Sequence, residues 1–218
     1  ISCLYSSVNG RSDFGIQGNA IVNKALIYSI LNLQQNNDKS KRWPETVKIQ
    51  FDHQIFLAQR HGGASRYFCE LADKLRNLDQ NDRISIFAPW HINEHLAGVP
   101  WHHGIKLPVS LQGVGPFMRP ARRMLEMMAR AGLAKPDIFH ETYLSARDNA
   151  PKGSKRIITV LDMTYEKIPG IYSRQEEMMR IKAAAVRRAD HVICISKSTQ
   201  NDLIAIYDVP ESKTSVVY

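Results

Sequence analysis

The segment 156–169, RIITVLDMTYEKIP, decides the fold that this sequence predicts. Residues 157–161 form a short, almost continuous apolar run with β-branched members, which is typical of a strand buried on both faces of a parallel sheet. Asp162 follows directly, where such a strand has to end. Ligands of open α/β sheets bind in the crevice beyond the carboxyl ends of the strands. Asp162 is therefore a candidate site residue by its position as well as its chemistry.

Strand and helix patterns alternate on both sides of this segment. Further strands are predicted at 47–51, 83–89, 137–140 and 191–195, and residues 215–218 also resemble a strand. Helices are predicted after Gly63, over 117–133, from a capping box at Ser173 to about Ala189, and before Pro210, whereas 90–115 looks irregular. This alternation predicts an α/β fold, a Rossmann-like parallel sheet with helices on both faces.

The chain has 218 residues, enough for one α/β domain with an extension. We assign 47–218 to the Rossmann-like domain. Residues 1–46 are then an N-terminal extension or the end of a preceding domain, joined by the polar segment QQNNDKSKRWP. Because the chain begins at Ile1 and stops within a strand-like stretch, we expect it to be part of a longer protein.

Cysteine content and charge restrict the location and the partners. Three widely spaced cysteines, Cys3, Cys69 and Cys194, indicate buried thiols in a reducing compartment, and no segment is apolar enough to span a membrane. The net charge of +8 is concentrated in two predicted helices, 117–133 and 173–188. Such helices suit phosphates, as in a nucleotide diphosphate or anionic lipid, or are simply solvated faces.

Gly62 and Gly63 separate the first strand from the first helix, and Arg66 follows within the motif HGGASR. Glycines there let a ligand approach the backbone, and the helix N-terminus presents N–H groups to an anion. A structural turn explains the same residues equally well. Neither GxGxxG nor GxxxxGK[ST] is present, so the common nucleotide fingerprints are missing.

Other polar residues are predicted at the same edge of the sheet. Asp162 can act as a general base, hydrogen-bond a substrate hydroxyl, or cap a turn. His140 ends a predicted strand and can line the same crevice, although a lone histidine is more often structural. Ser196 also ends a strand and can contact a ligand, whereas Ser198 or Thr199 is the better candidate for a helix cap.

Neither metal nor nucleic acid is expected. His91 and His95 have i, i+4 spacing, but the glutamate of an HExxH motif is absent and Pro100 interrupts the segment. The basic charge would suit nucleic acid, but the aromatic platforms and modules of such proteins are not recognisable. The sequence therefore predicts no metal and no nucleic-acid partner.

Four segments in the expected order resemble the N-terminal half of retaining GT-B glycosyltransferases of family 4. They are FDHQIFLAQRHGGASRYFCEL (51–71), DIFHETYL (137–144), ITVLDMTYEKIP (158–169) and ADHVICISKSTQNDLIAIYDVPESKTSVVY (189–218). The nearest likeness is to mannosyltransferase-like enzymes of bacterial polysaccharide and O-antigen synthesis. The resemblance implies an acceptor-binding domain here and a donor-binding domain after Tyr218.

The resemblance also implies roles for individual residues. Gly62 and Gly63 would form a loop near the donor phosphates and the acceptor, with Arg66 close by. Asp162 would correspond to the aspartate of a His-Asp pair, and Ser196 to the serine after the later strand. Leu161 stands where many members have the histidine of that pair, so a histidine contact with the transferred sugar is not expected.

We therefore expect a hexosyltransferase that moves a hexose, with mannose the first candidate, from a nucleotide diphosphate sugar to a glycan or lipid-linked acceptor with retention. The nucleotide sugar is a co-substrate, and no other cofactor is expected. The enzyme would be cytoplasmic, with helix 117–133 resting on the anionic inner face of the membrane. The alternative is a non-catalytic ligand- or protein-binding module of the same fold. A sugar-nucleotide epimerase is disfavoured because the glycine fingerprint and a Tyr-x-x-x-Lys pair are missing.

Overall fold

A computed structural model of the chain describes residues 46–108, 135–170 and 172–217. The described residues form a seven-stranded sheet in the order β3-β2-β1-β4-β5-β6-β7, in which every neighbouring pair is parallel. The strands are β1 (Lys48–Phe51), β2 (Arg83–His91), β3 (His103–Lys106), β4 (Ile138–Glu141), β5 (Lys155–Val160), β6 (His191–Cys194) and β7 (Thr214–Val216). The predicted α/β, Rossmann-like fold is confirmed.

Helices connect most of these strands. They are α1 (Gln54–Ala58), α2 (Gly63–Leu78), α3 (Thr164–Lys167), α4 (Gln175–Arg188) and α5 (Lys197–Tyr207), with short 3-10 helices at His95–Gly98 and Glu211–Lys213. The helix α4 ends beside Ala189 and α5 ends before Pro210, as the sequence predicts. None of the helices in the described part of the chain is long and apolar enough to cross a membrane.

The helices cover both faces of the sheet. The register places Phe51 and His140 on one face, where the ring of Phe68 from α2 contacts both of them. On the opposite face, Ile158 of β5 and Val192 of β6 belong to a buried cluster with side chains of α4 and α5. Burial on both faces explains why the last four residues of β5 show no alternation of apolar and charged side chains, since all four are buried.

The strand order reverses between β1 and β4. Chain connections run outward from β1 to β2 and β3 on one side, and from β4 to β7 on the other. Such a switch point opens a crevice at the carboxyl ends of the strands, which is the usual ligand-binding place of open α/β sheets. The edge formed by these strand ends is called the carboxyl edge below.

Three local features differ from the sequence prediction. The segment 90–115, expected to be irregular, contains β3 and a 3-10 helix, and the short helix α1 was not predicted. Ser173 does not cap α4, whose N-cap is Arg174 without a side-chain bond. Instead the Gln175 side chain accepts a bond of 2.8 Å from the Gly170 backbone and donates to the carbonyls of Tyr165 and Ile168.

Several predictions fall on residues that the structure does not describe. They are the extension up to residue 45 and the basic helix 117–133, with its proposed contact with anionic lipid. The boundary between an extension and the domain from residue 47 therefore stays a prediction. Of the three cysteines, Cys69 and Cys194 are described, and both are free and buried as expected.

Candidate functional site at the carboxyl edge

Asp162 lies at the carboxyl edge, two residues beyond the end of β5. Its side chain is exposed, and its Oδ1 accepts a hydrogen bond of 3.0 Å from the backbone N–H of Thr164. This local bond fixes the turn into α3, as aspartates commonly do before a helix. The carboxylate therefore has a structural role in the turn and also presents a negative charge to solvent.

A network of buried charged side chains, centred on Lys182 and Glu166, stabilises this turn. The Lys182 ammonium donates to the backbone carbonyl of Asp162 at 3.0 Å and pairs with Glu166 at 2.8 Å. The exposed fractions of the two side chains are 2% and 0%. The second oxygen of Glu166 accepts a bond from the Tyr207 hydroxyl, whose pKa is raised, first by burial and then by this bond. Helices α4 and α5 thus support the turn that carries Asp162.

Ser196 caps helix α5. Its hydroxyl accepts a bond of 3.1 Å from the backbone N–H of Thr199 and lies 3.0 Å from the Thr199 hydroxyl. The prediction that Ser198 or Thr199 is the cap is therefore wrong, because α5 begins at Lys197, two residues before the start that a cap at Ser198 requires. Because Cys194 pairs with Val160, Ser196 and Asp162 extend from neighbouring points of the carboxyl edge.

Replacing Ser196 by alanine is expected to lower the free energy of unfolding by about 1 kcal/mol, since an N-cap acceptor is lost. The exposed Ser198 makes a matched control, and Ser198→Ala should change stability by less than about 0.5 kcal/mol. Urea denaturation of both variants tests this assignment. Equal losses in the two variants would contradict it.

Gly62 and Gly63 form the start of α2, with Gly62 as the N-cap. A Cβ on Gly62 would lie 2.2 Å from the Gln59 carboxamide, whose oxygen accepts a long bond of 3.4 Å from Ser65 N–H. A Cβ on Gly63 would meet no atom within 4 Å, so open space adjoins that backbone. Arg66 is exposed and pairs with Glu70 at 2.6 Å on the helix surface. Their roles toward a donor or acceptor stay predictions.

His140 lies inside the sheet rather than in an open crevice. It is 3% exposed, its ring stacks on Phe51 at 4.9 Å, and its Nε2 shares a hydrogen bond of 2.9 Å with the Thr159 hydroxyl. Burial lowers the pKa of His140 to about 3, so the imidazole is neutral at physiological pH. These are the contacts of a core residue, and a ligand contact of His140 stays a prediction that this geometry does not favour.

Asp52 and Thr142 bridge the switch point, and the sequence analysis missed both. They follow β1 and β4 directly, and Asp52 Oδ1 accepts bonds from the Thr142 hydroxyl at 2.5 Å and from its backbone N–H at 2.9 Å. The Thr142 hydroxyl in turn accepts from Ile55 N–H at 3.1 Å. These bonds join the ends of β1 and β4 and connect them to the start of α1. The sequence pattern that identified Asp162 also applies to Asp52, since both residues follow a buried strand.

A second, partly buried ion pair anchors the loop after β4. Arg188 Nη2 donates to both oxygens of Glu141, at 3.1 and 2.8 Å, and to the carbonyl of Ser145 at 2.9 Å. Burial raises the pKa of Glu141 to about 7, although Arg188 opposes this shift. The pair joins α4 to the start of the loop that returns to β5.

Four histidines pack in two pairs, one within 91–103 and one between His95 and His61. The rings of His91 and His102 lie edge to face at 5.1 Å, and those of His61 and His95 at 6.1 Å. The pKa of His91 is lowered, chiefly by burial and then by His102. Within residues 46–108, 135–170 and 172–217, no group of three or more His, Cys, Asp or Glu side chains is arranged to hold a metal ion.

The carboxyl edge thus brings together some of the predicted residues. Asp162 and Ser196 follow adjacent strands, whereas Gly62 and Gly63 follow β1, which β4 separates from β5. A parallel sheet with a switch point and an exposed aspartate beyond the strand ends defines an open α/β domain with a ligand-binding edge. Comparisons with known proteins identify its family.

The model of glycosyltransferase family 4 matches residues 61–218, which is more than half of the chain. The chain therefore belongs to glycosyltransferase family 4. Among curated proteins, no significant match was found.

Among solved structures, the chain is similar to the apo form of the lipopolysaccharide outer core galactosyltransferase WaaB. The match has a TM-score of 0.50 and 14% sequence identity, and it covers 79% of this chain and 45% of the other. At that identity the likeness concerns the fold, and it confirms a GT-B type of Rossmann-like sheet. The chain spans less than half of the length of that galactosyltransferase.

Proposed function

We propose that this chain is the acceptor-binding half of a retaining GT-B hexosyltransferase, with Asp162 in its site. In this proposal a hexose moves from a nucleotide diphosphate sugar to a hydroxyl of a glycan or lipid-linked acceptor. A donor-binding half would follow the chain. The cytoplasmic location and the contact of helix 117–133 with anionic membrane belong to the same proposal.

The observation that carries the proposal is the family match over residues 61–218, which include every predicted site residue. The geometry adds support, because Asp162 presents an exposed carboxylate at the ligand-binding edge while its backbone is held by the buried Lys182. A carboxylate held in this way can accept a hydrogen bond from a sugar hydroxyl or take its proton. Retention would require positive groups of the donor half to stabilise the departing diphosphate.

Two likenesses bear on the identity of the hexose. The sequence resemblance points to mannose, whereas the structural relative is a galactosyltransferase. Both sugars, and glucose, are neutral pyranoses of the same size. Galactose and mannose each differ from glucose in the orientation of one hydroxyl, and from each other in two. The choice is therefore best made by assay.

The proposal is tested by incubating the complete protein with UDP-galactose, UDP-glucose or GDP-mannose and with octyl glycosides as acceptors. One donor is expected to give a product heavier by one hexose, with the anomeric configuration of the donor retained in its NMR spectrum. Inversion at the anomeric carbon would contradict retention. Absence of transfer and of donor hydrolysis with all three donors would contradict the transferase assignment.

A non-catalytic module of the same fold is the competing function, and one observation favours it. The polar groups of Asp162, Arg66 and Ser196 each have a partner within the chain, as structural residues do. A module of this kind would bind a sugar or a protein without turnover. The donor assay separates the two, because only the transferase consumes a nucleotide sugar.

A further inference from the structure

Three tyrosines, Tyr143, Tyr165 and Tyr172, lie at the carboxyl edge in the segments that follow β4 and β5. Tyr143 follows β4 by two residues and is 41% exposed. Tyr165 belongs to α3, which follows the neighbouring strand β5, and Tyr172 follows α3. Since β4 and β5 are adjacent and parallel, Tyr143 and Tyr165 lie at the same edge of the sheet.

The rings of Tyr165 and Tyr172 contact each other and are half-buried. Their centroids are 4.7 Å apart and their planes are inclined by 47°. The pKa of Tyr165 is raised by burial and, to a smaller extent, by the nearby Tyr143, Tyr172 and Asp162. That electrostatic coupling agrees with the strand order in placing Tyr143 and Asp162 close to Tyr165.

Tyr165 also packs against the buried Lys182. The Lys182 ammonium lies 5.6 Å from the centre of its ring and is itself fixed by Glu166 and by the Asp162 carbonyl. A ring held by a buried cation loses little freedom when a ligand covers the exposed part, so binding costs less entropy. Ile168, the C-cap residue of the same helix, is 48% exposed.

The chemistry of this surface fits a neutral pyranose. A pyranose has an apolar C–H face that packs against the electron-rich face of an aromatic ring, and hydroxyl groups at its rim that a carboxylate can bind. A nucleotide diphosphate would be repelled by the exposed Asp162 carboxylate, since like charges at short range disfavour binding. An acyl chain has no hydroxyl group that could donate a hydrogen bond to that carboxylate.

We propose that Tyr143, Tyr165 and Tyr172, with Asp162 beside them, form the subsite that holds the terminal sugar ring of the acceptor. That the bound sugar belongs to the acceptor rests on the proposed function. That this surface binds a sugar at all does not depend on it. The tyrosines position the ring, and Asp162 contacts its hydroxyl. Tyr143, the most exposed of the three, is expected to contribute the most accessible aromatic face.

The test measures binding of methyl glycosides of galactose, glucose and mannose to the full chain by saturation-transfer NMR. At least one glycoside should bind, and Tyr143→Leu should weaken it roughly fivefold to tenfold because the aromatic face is lost. Tyr143→Phe keeps that face and should bind within about twofold of the unchanged protein. Leu78→Ala removes an exposed apolar side chain at the end of α2 and serves as the matched control.

The outcomes separate this inference from the proposed function. Loss of binding in Tyr143→Leu but not in Tyr143→Phe or Leu78→Ala supports the subsite, whether or not the complete protein transfers sugar. Failure of all three glycosides to bind, or equal binding by the leucine and phenylalanine variants, would overturn it even if transfer is observed. Equal binding of an octyl chain without a sugar would also overturn it, in favour of a lipid contact.

Discussion

Acidification is expected to destabilise the chain through His140, by about 1.4 kcal/mol for each pH unit between pH 6.5 and pH 3. Burial against Phe51 and Phe68 lowers the pKa of this imidazole from 6.5 to about 3 in the folded state. The unfolded chain therefore binds a proton in that range and the folded chain does not. The stability is present above pH 6.5 and is lost as the pH falls, by about 5 kcal/mol in total.

The contribution is isolated by comparing urea denaturation of the unchanged protein with that of His140→Phe between pH 8 and pH 4. Phenylalanine keeps the stacked ring but cannot titrate, so its profile should lack the acid-induced loss. The comparison is needed because Glu141, with its pKa raised to about 7, acts oppositely and adds stability as the pH falls. The exposed His103 is the control, and the acid-induced loss should persist in His103→Phe. Parallel profiles for His140→Phe and the unchanged protein would refute the prediction.

Replacing Lys182 by methionine is expected to lower the free energy of unfolding by about 3 to 5 kcal/mol. The change leaves the Glu166 carboxylate buried without its cation and the Asp162 carbonyl without its donor. Removing one partner of a buried pair is costly, whereas replacing both by apolar side chains is often nearly neutral. The double variant Lys182→Met with Glu166→Met should therefore recover much of the loss.

A matched control is available in the same part of the molecule. Lys167 pairs with Asp202 at 2.9 Å, but its side chain is 55% exposed. Exposed pairs of this kind contribute little, so Lys167→Met should cost less than about 1 kcal/mol in urea denaturation. A loss for Lys182→Met no larger than for Lys167→Met would show that the buried network does not support the turn.

The sheet could be predicted because its strands carry a strong and local signal. Residues 157–160 are apolar except for Thr159, and the structure buries all four of them. The strand β3 was missed because its four residues, His103–Lys106, are all exposed, so no hydrophobic pattern marks them. The capping box at Ser173 failed because the Gln175 side chain bonds the preceding loop instead.

The candidate site was predictable only in part. Asp162 and Ser196 could be recognised because each ends a strand, which is a local property. The partners that hold the site come from distant parts of the chain. Asp52 bonds Thr142 across 90 residues, and Lys182 in a basic helix looks like a solvated charge until the fold buries it. The tyrosines near Asp162 were missed for the same reason, since only the strand order brings Tyr143 close to Tyr165.

The most direct test of the central claim is the rate of hexose transfer by the complete protein carrying Asp162→Asn. Asparagine keeps the oxygen that accepts the Thr164 N–H bond, so the turn survives while the negative charge is removed. If the carboxylate acts on a sugar hydroxyl, the rate should fall about a hundredfold or more, while Asp73→Asn on the exposed surface of α2 retains full activity. An Asp162→Asn variant that transfers sugar as fast as the unchanged protein would contradict the account and leave Asp162 as a turn residue.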